Sequence, residues 1–155
     1  MSTLVKSLCN ALFKKLLKRP SPKTTAVIDN LGKVYNLQEI YHRLNADYFE
    51  KKLDLAITWF GSEDRAAKRR RLLGSYNQKK QLIKIHRLLD NTRFPEYFVS
   101  YVVYHEMLHH VCPPKRWGKR RIHHEDFKVR ERKFQDFALA KRWAQDNRKE
   151  FFSHR

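Results

Sequence analysis

An α+β domain is what the sequence predicts, and three observations carry it. Along the chain a helical periodicity gives way to short β-prone runs, and these are followed by further helical periodicity. The length of 155 residues fits one compact domain. The composition is 41% apolar and 13% aromatic, enough to build a core and to exclude disorder over the whole chain. No stretch approaches the roughly 18 consecutive apolar residues of a membrane span. With four glycines and five prolines, collagen-like and linker-like compositions are excluded as well. The expected architecture is a small antiparallel sheet packed on a helix that carries His105-Glu106-Met107-Leu108-His109.

Taken in order, residues 1–19 place Leu4, Leu8, Leu12 and Leu16 at helical spacing with lysines opposite. Such a basic amphipathic segment suits a membrane surface, a docking face or a targeting peptide. It lacks the unbroken apolar stretch of a secretory signal, which disfavours export. Pro20 and Pro22 then break any continuing helix, so residues 1–34 are expected to be an N-terminal segment and linker. The folded domain is expected over 35–150. Asn36 with Glu39 makes a capping-box-like start, and Leu37, Ile40, Tyr41, Leu44 and Tyr48 mark one face of a helix to about Lys52. Leu55–Phe60 reads as a buried strand. Leu72–Tyr76 and Gln81–His86 read as a hairpin across residues 77–80. Pro95 can open the next helix and Pro113-Pro114 can end it. A last helix is expected from Glu125 to Asn147, burying Phe127, Phe134, Phe137 and Ala138.

The chemistry lies in His105-Glu106-Met107-Leu108-His109. Four helical residues turn about 400°, which puts both imidazoles on one face about 6 Å apart along the axis. Two neutral imidazoles so placed suit Zn²⁺. Glu106 stands beside the first of them and can take a proton from an attacking water as general base. With eight His and eight Glu in the chain, chance would supply about 0.02 matches to this motif. A catalytic zinc needs a third protein ligand. The elongated motif with Gly at 112 and His at 115 is absent, since Cys112 and Lys115 stand there. His123 follows His109 by 14 residues across a loop able to turn back, with His124 and Glu125 as alternatives.

From about Tyr35 to Ala144 the sequence resembles the SprT-like, or Spartan-like, zinc metalloprotease domain. The resemblance rests on Leu44-Asn45-x-x-Tyr48-Phe49, Trp59, Leu73-Gly74-Ser75-Tyr76, Ile83-Lys84-Ile85 and the His105–His109 motif. It continues in His123-His124-Glu125-Asp126-Phe127, similar to the family's H-G-x-E-F with His124 in place of glycine. The resemblance implies a zincin-like fold, Zn²⁺ held by His105, His109 and His123, and a protein or peptide substrate. It also implies work near DNA.

Charge supports a polyanionic partner. Lys and Arg number 34 against 16 Asp and Glu, a net charge of +18, clustered at residues 14–19, 68–71 and 115–121. In the last cluster Arg116, Trp117, Lys119, Arg120 and Arg121 interleave an aromatic with cations, a pattern that can stack a base and pair phosphates. The alternative is that Trp117 packs over the helix. The competing function is a nucleic-acid-binding protein whose zinc is structural or idle; Glu106 favours catalysis, because a structural site has no use for that carboxylate. Cys112 is expected to be a small buried helix-end residue, and His110 to face away from the metal. Tyr76 and Tyr104 are expected in the core, His42 and His86 at the surface or half-buried. Two cysteines without a C-x-x-C fit a reducing, cytoplasmic setting, and a monomer is expected.

Overall fold

In the computed structural model, which describes residues 27–62, 72–114 and 122–148, Asn36 opens the first helix, α1 (Leu37–Phe49). Its side-chain oxygen accepts the Gln38 and Glu39 N–H groups, and its amide donates to the Glu39 carboxylate at 2.8 Å. Asn36 thus caps the helix, while Glu39 returns to its side-chain amide and not to its backbone N–H as a capping box would require. The helix stops at Phe49 because Glu50 and Lys51 take left-handed conformations, φ 54° and 58°. Two side chains of α1 then hold the return. Tyr41 donates its hydroxyl to the Leu53 carbonyl at 2.9 Å and accepts from Leu55 N–H at 3.0 Å, and Asn45 bonds both backbone groups of Leu53.

Strand β1 (Ala56–Phe60) follows, then β2 (Gly74–Asn77) and β3 (Leu82–His86), in sheet order β1-β3-β2. The hairpin β2–β3 is antiparallel as expected, with Tyr76 opposite Ile83. The sheet as a whole is mixed, which corrects the all-antiparallel expectation: β1 runs parallel to β3, Ile57 opposite Ile83. The cause lies in β3, whose Leu82, Ile83 and Ile85 are at most 1% exposed. That strand takes the centre, so the more polar β2 goes to the edge.

Beyond a 3₁₀ turn at Arg87–Leu89, helix α2 (Glu96–Val111) runs through the middle of the molecule. Its sequence is rich in Tyr and Val, weak helix formers, so packing rather than propensity holds it. Nearly every residue from Phe98 to Val111 is buried, because α1, β2, β3 and two later helices all pack against it. The expected single helix over 125–147 is instead two, α3 (Glu125–Glu131) and α4 (Phe137–Asp146). A continuous helix of that length would extend about 34 Å, against about 24 Å for α2. The break at residues 132–136 lets both pieces lie on α2. It also turns Phe134 into a cluster with Tyr48, Tyr101 and Tyr104, ring centroids 5.3–6.0 Å apart. Phe127, Phe134 and Ala140 are buried; Phe137 is half-buried and Ala138, contrary to expectation, exposed.

Residues ahead of 35 are also tied in. Asp29 bonds Thr58 and Trp59 of β1, and the Asp90 carboxylate accepts from the N–H groups of Lys33, Val34 and Tyr35. Among the described residues no helix is long and apolar enough to cross a membrane. The amphipathic segment 1–19, residues 20–26 of its linker and the basic clusters at 68–71 and 115–121 lie outside the described residues; so do Arg116, Trp117, Lys119, Arg120 and Arg121.

Candidate metal centre

Helix α2 presents two working faces. Tyr101, His105 and His109 recur at one-turn spacing on the first, and Glu106 and His110 share the second.

Opposite the first face stands the start of α3 and its approach. His123, Phe127 and Glu131 also recur every four residues, and they meet the α2 row side by side. One nitrogen from each of His105, His109 and His123 lies within 4.8 Å of the others, and the Nε2 atoms of His109 and His123 are 3.3 Å apart. The Phe127 ring floors the cluster, 4.7–5.0 Å from all three imidazoles. His105 Nδ1 donates to Glu131 Oε1 at 2.7 Å, and the Tyr101 hydroxyl donates to the same oxygen at 2.7 Å. That bond fixes the His105 tautomer and leaves its Nε2 lone pair free to bind a cation.

Burial favours the neutral, ligand form of two of the donors. Burial, with the nearby His105 and His123, pushes His109 down to about 4. Burial and the same neighbourhood lower His123. Burial alone would raise Glu131, but its bonds from His105 and Tyr101, with the charges of His105 and Lys141, hold it down at about 2. Three imidazoles backed by an ionised carboxylate form the donor set that a borderline-soft divalent cation such as Zn²⁺ prefers.

The second face meets the edge strand. A side chain at Gly74 would come within 2.8 Å of Glu106 Oε1, so the glycine is what lets β2 close over the carboxyl. Glu106 is 6% exposed, and burial, opposed by the His105 charge, pushes its carboxyl up to about 7. One turn on, His110 is buried and shares a 2.7 Å hydrogen bond between its Nδ1 and the Tyr76 hydroxyl. Edge strand and helix are thereby locked in register, Gly74 to Glu106 and Tyr76 to His110.

The expected residues thus divide cleanly. His105, His109 and His123 converge. His124 does not: it is buried as the N-cap residue of α3, its Nε2 donating to the Pro113 carbonyl at 3.2 Å. Glu125 is exposed, 3.7 Å from Arg132. Cys112 is buried at the end of α2. Tyr104 is buried with its hydroxyl on the Arg130 carbonyl, whereas Tyr76 is only half-buried and engaged by His110. His42 is exposed, and His86 caps the 3₁₀ turn. Glu131 was not anticipated, although its spacing of four from Phe127 and eight from His123 is visible in the sequence.

Fold and site together define a metallopeptidase-like α+β domain, and comparison with protein families agrees: the SprT-like family matches residues 37–148. The chain belongs to the SprT-like family. Among curated proteins and among solved structures no significant match is found.

Proposed function

We propose that the chain is a zinc-dependent peptidase of zincin-like type, with Zn²⁺ held by His105, His109 and His123 and with Glu106 as general base. The observation that carries this reading is the convergence of three imidazoles on one point, beside a buried carboxyl that is not needed to hold them. When bound, a zinc ion would supply Lewis acidity, making a water acidic and polarising the scissile carbonyl. The protein's own groups do the rest. Glu106, covered by β2 at Gly74 on the second face of α2, takes the proton of the attacking water and delivers it to the departing amine nitrogen. Strand β2 is paired only on its β3 side among the described residues, and an edge strand so placed can align an extended peptide by main-chain hydrogen bonds.

The substrates we propose are proteins on or near DNA. In the sequence two strongly basic stretches flank the site, residues 65–71 leading into Gly74 and 115–121 leading into His123.

Replacing Glu106 with Gln tests the assignment of roles. Casein or histone hydrolysis should fall by at least about 100-fold, in the range typical of a lost general base. Zinc stoichiometry measured on the same preparation should stay near one, because the carboxyl handles a proton and not the metal. A variant that hydrolyses at the wild-type rate would falsify the role of Glu106. A wild-type chain that takes up zinc and binds DNA but never cleaves would instead favour a nucleic-acid-binding protein with an idle site.

A further inference from the structure

We infer that Glu131, which is not itself a ligand, is a positioning residue that pre-assembles the metal centre by holding His105 and tying α3 to α2. The inference rests on the zinc-site reading above and concerns what holds that site in shape.

Four observations converge on it. The carboxylate accepts two hydrogen bonds at 2.7 Å on one oxygen, from His105 and from Tyr101. It lies at the last residue of α3, a helix of seven residues too short to be stable alone. The same helix stands immediately after His123 and carries Phe127, so whatever fixes α3 also fixes the third imidazole and the floor beneath it. The side chain of Glu131 is only 13% exposed, which shields both bonds from water.

The physical consequence follows from geometry. A histidine whose Nδ1–H is held by a carboxylate offers Nε2 in one tautomer and one ring orientation, and the bond makes that nitrogen more basic. Without Glu131, His105 would choose between tautomers and rotamers. Helix α3 would also lose a polar anchor to α2, so the third ligand would have to be ordered at the moment the ion arrives. Binding then carries that ordering cost. Tyr101 serves the carboxylate rather than the ion. Burial and Glu131 raise its phenol well above the usual range, so it remains a donor.

The test is zinc affinity, measured by competition with a chromophoric chelator on the full chain, alongside thermal melting of the metal-free protein. Glu131→Gln keeps the size and an acceptor oxygen but loses the charge, and should bind zinc about 10-fold more weakly; Glu131→Ala should approach 100-fold. Tyr101→Phe, which leaves the His105 bond in place, should cost less than either. Should Glu131→Ala fail to melt cooperatively, the Gln variant carries the comparison. Hydrogen exchange in the metal-free Gln variant should rise across residues 125–131 and leave the amides of α1 unchanged. Wild-type zinc affinity in a folded Glu131 variant would overturn the inference while leaving the zinc site standing. A wild-type chain that binds no zinc would overturn both.

Discussion

His123 and His124 are neighbours in the chain with opposite fates, and the difference sets out what single residues contribute. The side chain of His123 reaches the two α2 imidazoles, ring centroids 4.9 and 5.0 Å away, while His124 is turned inward to the Pro113 carbonyl. Replacing His123 with Ala should therefore abolish zinc uptake, and with it the stabilisation that saturating metal gives the folded state. His124→Ala should retain the metal and destabilise the metal-free protein instead, by about 1–3 kcal/mol, through loss of a buried hydrogen bond and of packing. Metal analysis and melting curves with and without zinc distinguish the two, and a zinc-free His124 variant would reverse the assignment. The sequence pointed to His105, Glu106 and His109 because one helix carries them at fixed spacing. It left the third ligand open because a loop intervenes, and loop length alone does not choose between adjacent residues. Glu131 is not legible in the sequence for a related reason. Its partner His105 is 26 residues away on another helix, and no local pattern joins the two.

Between elements, the site depends on how closely α2 approaches its neighbours on two sides. Gly74 is the position where that closeness is tightest: a Cβ there would sit 2.8–3.1 Å from three atoms of the Glu106 side chain. A methyl group must therefore displace either the edge strand or the carboxyl. Because Tyr76 and His110 hold strand and helix in register one turn further on, the carboxyl is the part that yields. Gly74→Ala should lower kcat by about 10-fold or more, since small misplacements of a catalytic group are costly. Its zinc affinity should be unchanged, because Glu106 is not one of the ligands. Steady-state kinetics at saturating peptide, with zinc titration as control, measure both; an unaltered kcat would show that β2 can retreat without consequence. The strands and α1 were legible in advance because their own residues specify them: the Asn36 cap, the alternation around Lys84, the apolar run 55–60. The parallel pairing of β1 and the break between α3 and α4 were not. Both are decided by what packs against what, and residues 132–136 contain neither Gly nor Pro to announce a break.

At the scale of the whole molecule, charge is distributed in a way the total of +18 conceals. The described residues hold 16 basic and 13 acidic side chains, a net of only +3, so +15 belongs to the remaining stretches of the sequence. The fold that carries the site is thus nearly balanced. Its basic residues are partly engaged by its acidic ones, as in Arg43 with Glu96 and Arg87 with Asp29. An evenly basic surface would attract any polyanion everywhere; charge concentrated in a few stretches gives an encounter a preferred place. The stretch 115–121 ends two residues before His123 in the sequence, so under the proposed function a nucleic-acid strand bound to it would bring an attached protein towards the three imidazoles. Binding of single-stranded DNA should weaken steeply with salt, the log–log slope being roughly −0.7 for each phosphate contacted. Replacing Arg116, Lys119, Arg120 and Arg121 together with Ala should flatten that slope, whereas Trp117→Ala should lower affinity and leave the slope nearly intact, because stacking displaces no counterions. Fluorescence anisotropy over a salt series reads both effects. If the wild-type chain binds neither single- nor double-stranded DNA near 50 mM salt, where electrostatic association is strong, the positive charge is a solvated surface and the proposed activity would have to reach its substrates by another route.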